Sequence, residues 1–294
     1  ANIDDDIENF QLKNKISLHE EQKNAVKGAI RNGVYVITGG PGTGKTTIIK
    51  CILEILENMQ KRVSLVAPTG RASKRMSDST GREAKTIHRL LEVNVIKTSE
   101  SYFVHNETNP LKTDVVIVDE VSMVDCALMC NLLKALPRDC KLILVGDKDQ
   151  LPSVGAGNVL ADILASGVIP FCMLTKIFRQ SEKSLIITNA HLINEGKMPM
   201  IDNSSMDFFF ESKNDPELIK NTIVNLVTSR LPKFLNVKPQ EIQVLAPMKA
   251  GVCGIENLNR TLQEEINPKS PEKPQVEVGQ TIFRLGDKVM PITN

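Results

Sequence analysis

Short runs of apolar residues alternate along this chain with longer stretches in which apolar positions recur every three to four residues. The runs 34–38, 63–67, 115–118 and 142–145 are β-branched or apolar almost throughout, as strands buried on both faces of a parallel sheet must be. Between them, 47–59 places Ile48, Ile52, Ile55 and Leu56 at helical spacing, and 125–136 does the same with Leu128, Leu132 and Leu133. Ser17 followed by Glu20 predicts a capped helix start, with the helix running through Gln22, Val26 and Ile30 and stopping near Gly33. Strand followed by helix, repeated, predicts an α/β protein built on a doubly wound parallel sheet.

Two stretches interrupt the rhythm. Residues 93–113 alternate Val93, Val95, Tyr102 and Val104 around a polar centre, which predicts a β-hairpin inserted into the sheet domain. Residues 194–207, with Gly196, Pro199 and Asn203, read as a connector. A second alternation follows: apolar 208–210, a helical pattern over 218–226, a strand over 242–246, and a helix over 255–266 ended by Asn267-Pro268. The expected division is a first domain over 1–168 and a second over 169–294.

The run Gly39-Gly40-Pro41-Gly42-Thr43-Gly44-Lys45-Thr46, leading into Thr47, is a complete G-x-x-x-x-G-K-T phosphate loop between a strand and a helix. Glycines let successive N–H groups turn toward a triphosphate, and the helix start adds its positive end. Lys45 is expected to reach the β and γ phosphates, and Thr46 to ligate Mg²⁺. At the end of 115–118 stand Asp119 and Glu120, two carboxylates beside the expected loop position. Asp119 is the candidate Mg²⁺ ligand and Glu120 the candidate base for an attacking water. Gln150, after the third strand end, is placed to sense the γ-phosphate.

Composition narrows the setting. The 294 residues are 41% hydrophobic and 24% charged, an ordinary globular balance with mass for two cores. No apolar stretch approaches twenty residues and 1–9 is acidic, so the expectation is a cytoplasmic protein without membrane span or secretory signal. The six cysteines form no C-x-x-C pair and read as reduced core thiols. Net charge is only +1, yet 71–89 holds Arg71, Lys74, Arg75, Arg82, Lys85 and Arg89 against Asp78 and Glu83. That segment suits either a phosphate-tracking surface or a solvated helix face.

Taken in order, Gln22, the phosphate loop, Asp119-Glu120 and Gly146-Asp147-x-x-Gln150 resemble the motif series of superfamily 1 helicases. The segments 67–72 (Ala-Pro-Thr-Gly-Arg-Ala), 86–91 (Thr-Ile-His-Arg-Leu-Leu), 146–155 and 177–180 (Ile-Phe-Arg-Gln) resemble its RecD-like branch, which includes the exodeoxyribonuclease V alpha subunits. The resemblance runs from about Leu18 to Met290. It implies a RecA-like fold with a second, partial RecA-like domain, and ATP with Mg²⁺ as cofactors. It further implies an ATP-dependent DNA helicase moving 5′ to 3′ on single-stranded DNA in recombination or repair, acting alone or within a nuclease complex, with single strands and duplex junctions as partners. By the same resemblance Gln22 would read the adenine edge, Gln150 would couple the γ-phosphate to DNA, and Arg179 would reach the γ-phosphate. Thr69, Gly70 and Arg71 would hold DNA phosphates, a role the start of a helix also favours. Thr86 and His88 sit where the family touches the strand again, although a single histidine equally suits a buried hydrogen-bonded site, and Ser153 and Lys249 are weaker candidates. The family's later motifs do not occur before Asn294, so the chain is expected to be a truncated core with little hydrolysis of its own. Other readings of the same loop are a phosphate-loop kinase and a nucleotide-switched DNA-binding or loading module.

Overall fold

A computed structural model describes residues 2–95, 101–177 and 184–289, which form two compact units, Ala1–Phe209 and Phe210–Asn294. The first unit begins α1 (Ile3–Asn14), α2 (Glu20–Arg31), β1 (Val34–Gly39), α3 (Lys45–Asn58), β2 (Val63–Ala67), α4 (Gly70–Thr80), β3 (Ala84–Thr86) and α5 (Ile87–Leu91). It continues through β4 (Val93–Val95), β5 (Ser101–Phe103), β6 (Val115–Val118), α6 (Cys126–Ala135), β7 (Lys141–Gly146), α7 (Val159–Ser166), β8 (Phe171–Leu174) and α8 (Leu185–Asn194). Six strands make one sheet in the order β3-β2-β6-β7-β1-β8, every pairing parallel.

Alternation along each strand loads both faces of that sheet. Ile37, Ile117, Ile143 and Val145 turn to one side, where they pack with Ile7 and Phe10 of α1, Ala25 and Val26 of α2, and Ile48 and Ile52 of α3. Val36, Val116, Val118, Leu142 and Leu144 turn to the other, against Ile87, Leu91, Leu132 and Leu160 from α5, α6 and α7. A period of two within strands thus meets a period of 3.6 in the helices on either side, giving the doubly wound architecture.

Helix α1 was not anticipated, because its acidic first turn masks Ile3, Ile7 and Phe10 at helical spacing. The cap of α2 also lies two residues later than the Ser17/Glu20 expectation. His19 is the N-cap residue, its Nδ1 accepts from the Glu21 amide, and Gln22 closes the reciprocal bond by accepting from the His19 amide. The division at 168/169 moves as well: β8 pairs with β1 from Val36↔Phe171 to Gly39↔Leu174. Residues 169–209 therefore pack with the first unit. The expected hairpin is present as β4 and β5, paired antiparallel from Val93↔Phe103 to Val95↔Ser101.

In the second unit Asp215 caps α9 (Pro216–Asn225), accepting from the Glu217 and Leu218 amides at 2.7 and 3.1 Å. A wide turn over 226–230 leads to α10 (Leu231–Leu235), where Pro232 has no N–H for the helical ladder. The helix α11 (Ile255–Ile266) falls where the sequence predicts it, and β9 (Gln275–Val278) pairs antiparallel with β10 (Thr281–Arg284). The runs 208–210 and 242–246 form no strand among the described residues, and Leu245 is 88% exposed. An apolar run becomes a strand only when another strand pairs with it, and among the described residues none pairs with either run.

The cysteines are free, as expected, but not all are in the core: Cys51 is buried whereas Cys126 and Cys130 are exposed. Among the described residues no helix is long and apolar enough to cross a membrane.

Candidate nucleotide site and nucleic-acid edge

The phosphate loop leaves the carboxyl end of β1 at Gly39 and enters α3 at Lys45. Gly42 and Gly44 adopt φ of 78° and 82°, the left-handed region in which a side chain is strained. Gly39 is fixed by crowding instead, since a β-carbon there would lie 2.8 Å from both Leu174 Cβ and Thr43 Oγ1. Thr43 is buried and donates its hydroxyl to the Gly40 carbonyl at 2.8 Å. The Lys45 ammonium folds over the loop and donates to the Gly39 and Gly40 carbonyls at 2.5 and 3.0 Å. Burial lowers the Lys45 pKa, while the charges of Asp147, Glu120 and Asp119 act in the opposite direction. Thr46 is exposed in the first turn of α3.

Three carboxylates from two neighbouring strands surround that lysine. Asp119 follows β6, and its amide donates to Val66 O at 2.9 Å while its Oδ1 accepts from the Glu120 amide at 2.9 Å. Burial pushes the Asp119 carboxyl above the usual carboxylate range, and the Glu120 amide opposes it. Glu120 itself has φ of 54°, and its carboxylate is ion-paired with Arg75 of α4. Asp147, at the end of β7, is 3% exposed and accepts from the Asp149 amide at 3.0 Å. Gln150 is exposed beyond it, with its amide on Asp147 O at 3.3 Å. The arrangement can hold a polyanion over Lys45, a hard cation beside Thr46 and Asp119, and a base at Glu120.

Other expected site residues fall into two groups. Gln22 is 4% exposed, with Oε1 on the His19 amide and Nε2 donating to Thr43 O at 3.2 Å. Its amide thus braces the phosphate loop from below and is already engaged at both ends. Arg179 lies outside the described residues. Thr69 caps α4 by accepting from the Ala72 amide at 3.2 Å, and Gly70 and Arg71 stand exposed beside it. Thr86 is 2% exposed, its hydroxyl accepting from the Arg89 amide to cap α5. The His88 ring lies 5.9 Å from that of Phe103, with Nδ1 buried and without a hydrogen-bond partner among the described residues. Ser153 Oγ donates to the carbonyls of Gly155 and Gly157 at 2.9 and 3.0 Å, folding the loop after β7 on itself. Lys249 is exposed in the second unit.

The basic segment is partly spoken for. Arg82 pairs with Glu57, Arg75 with Glu120 and Lys85 with Glu83. Arg71, Lys74 and Arg89 are exposed and enter no ion pair among the described residues. Sequence reasoning missed Asp147 as a partner of the site, although it lies in the quoted Gly-Asp-x-x-Gln motif. It also missed Arg75, whose pairing with Glu120 depends on α4 and β6 being brought together across β2.

Residues 22–156 match an AAA domain family. The chain is similar to the ATP-dependent RecD2 DNA helicase of Deinococcus radiodurans, with 35% identity over 282 residues, covering 96% of this chain and 37% of that protein. It is also similar to the RecBCD enzyme subunit RecD of Mycolicibacterium smegmatis, with 41% identity over 168 residues, covering 49% of this chain and 30% of that protein. Among solved structures, the Pif1 helicase from Candida albicans aligns with a TM-score of 0.47 and 20% identity, covering 71% of this chain and 55% of that one. The chain thus spans roughly a third of the length of these two curated relatives, and within that span its sequence is similar to RecD-like helicases.

Proposed function

We propose that the chain is the ATP-driven core of a DNA helicase. The observation that carries this reading is the convergence of Lys45, Asp119, Glu120 and Asp147 at the carboxyl ends of adjacent parallel strands, with Arg75 linking Glu120 to α4. Lys45, whose ammonium donates to the Gly39 and Gly40 carbonyls, is within the loop that would hold the β and γ phosphates and would donate to their oxygens. Thr46 and Asp119 fit a hard cation with oxygen ligands, and Mg²⁺ held there supplies charge neutralisation at the phosphates. Glu120 then accepts a proton from water as the water oxygen bonds to the γ-phosphorus and the bond to the ADP oxygen breaks. We assign Gln150, and Arg179 from beyond the described residues, to the γ-phosphate side.

Glu120 serves as base only when its carboxylate turns from Arg75 to water. Arg75 shares α4 with Thr69, Gly70 and Arg71, the proposed DNA-phosphate contacts at its amino-terminal end. Single-stranded DNA on that end can therefore compete for Arg75 and release the base, which couples strand binding to hydrolysis. Thr86, His88 and Ser153 would line the same path, and 5′ to 3′ movement follows the family resemblance.

The test is release of phosphate from Mg·ATP with and without single-stranded DNA, in wild type and Glu120→Gln. Release by the chain itself should be slow, with DNA stimulation developing in the longer protein, and Glu120→Gln should slow release in either by roughly 10² or more while ATP affinity stays within a few-fold. If the longer protein binds both ligands and its release is unmoved by DNA, it would instead be a nucleotide-switched loading module.

A further inference from the structure

The phosphate loop has one neighbour that the chemistry above leaves unused. His191 of α8 sets its ring against Gly40: a β-carbon at Gly40 would lie 2.8 Å from Cε1 and 3.4 Å from Nε2. Any side chain at position 40 would collide with the imidazole, so glycine here serves the ring as well as the loop. His191 Nε2 is buried and has no hydrogen-bond partner among the described residues. Burying such a nitrogen without a partner is unfavourable, and a ligand in the loop would supply one.

The helix presenting the ring is firmly held. Ser184 caps it by accepting from the Ile187 amide, and donates its hydroxyl to Asp207 at 2.5 Å. Asn189, two residues before the histidine, is 1% exposed and clamps Met200 from both sides, donating to its carbonyl at 2.9 Å and accepting from its amide at 2.7 Å. The ring is therefore delivered to Gly40 by an anchored element, beside the carbonyls that Lys45 occupies. An imidazole with its proton on Nε2 is a donor, and the ligand that the loop is built to take is rich in acceptors.

We propose that His191 is a nucleotide contact, donating from Nε2 to a phosphate oxygen of the triphosphate seated in the loop and so fastening α8 to the bound state. The proposal rests on the nucleotide reading of the loop and adds a residue from well beyond its motifs. Binding gives the orphaned nitrogen its partner and makes α8 an element that registers whether the loop is filled.

Equilibrium binding of a fluorescent ATP analogue with Mg²⁺ tests it on wild type, His191→Ala, His191→Gln and Lys45→Ala. His191→Ala should weaken binding about tenfold, corresponding to about 1.4 kcal/mol. His191→Gln, which keeps a side-chain N–H donor, should stay within about threefold of wild type. A second measurement does not depend on the variants folding: with ¹⁵N-labelled histidine the chain's four histidines give separate ring signals, and that of His191 should move on saturation with a non-hydrolysable ATP analogue. Wild-type affinity in His191→Ala alongside lost affinity in Lys45→Ala would overturn the proposal and leave the nucleotide site standing. So would a His191 ring signal that saturation leaves in place. Wild-type affinity in Lys45→Ala would instead remove the nucleotide reading beneath it.

Discussion

On the central strands of the first unit the side chains are sealed on both faces, as with Ile37, Ile117 and Ile143 at 0% exposure. In the second unit Leu245 of the run 242–246 is 88% exposed and its apolar neighbours are only half-buried, while the most enclosed groups include Arg284 and Asn267 as well as Val227 and Leu258. Arg284 donates to Glu264 at 2.5 Å and to Asn267 O at 3.1 Å, while Asn267 and Gln263 both donate to Asp287. One unit is held by non-directional burial, the other leans on a directional polar network. Burial tolerates chemistry at the rim, because the carboxylates and lysine of the site stand at strand ends outside the packed layers. A polar network permits less, since each lost partner strands another group.

That contrast can be broken most sharply at the rim. Lys45→Ala should weaken Mg·ATP binding by roughly 10³-fold, about 4 kcal/mol, while the thermal midpoint hardly moves, measured by nucleotide titration and by melting without nucleotide. A large loss of midpoint would mean that the lysine holds the loop together and that site and scaffold are not separable. Ile117→Ala tests the scaffold: creating a cavity between the sheet and the layer of α1, α2 and α3 should cost about 3 kcal/mol in urea unfolding followed by circular dichroism. The contrast predicts that this loss falls on the first unit's transition, and an equal shift in protection of α11 amides to hydrogen exchange would argue that the units unfold as one.

A smaller effect sharpens the packing claim. Gly28 lies inside α2, where replacement by alanine ordinarily gains close to 1 kcal/mol. A β-carbon there would sit 2.1 Å from Tyr35 Cζ, so Gly28→Ala should destabilise by about 1–2 kcal/mol net; a gain in stability would show that the ring moves aside freely. The smallest effect concerns the nucleic-acid edge. Single-strand affinity should fall with salt at a log-log slope of roughly −0.7 per phosphate neutralised, and Arg71→Ala should flatten the slope by about one such step. An unchanged slope would make 71–89 a solvated face.

The same contrast explains which features the sequence announces. Strand runs at 63–67 and 115–118 coincide with β2 and β6, because a strand buried on both faces must be apolar at nearly every position. The phosphate loop and acidic pair are legible for a related reason: their chemistry demands particular residues at fixed spacing. The run 242–246 looks the same on paper and forms no strand, since sheet pairing depends on partners that a local pattern does not contain. β8 (Phe-Cys-Met-Leu) is a run of only four apolar residues, too short to be told from a helix segment by its pattern, and its pairing with β1 at the sheet edge is set by tertiary neighbours. The Gln22 amide, the Arg75–Glu120 pair and the His191 ring are likewise set by tertiary neighbours, and no run of residues marks them. α1 differs from these in being marked locally, by Ile3, Ile7 and Phe10 at helical spacing.

The left-handed backbone at Glu120 bears on how such a chain can change over evolutionary time. Strand β6 ends at Val118, the Asp119 amide makes the next bond to Val66, and the turn at Glu120 leads directly into the short helix Val121–Met123. The two carboxylates are therefore aimed by three consecutive backbone settings, more than by their own rotamers. A change of side chain at 119 or 120 alters one function, whereas inserting or deleting a single residue between 118 and 121 would swing both acids away from the lysine at once. This short stretch should accept substitution far more readily than any change of length.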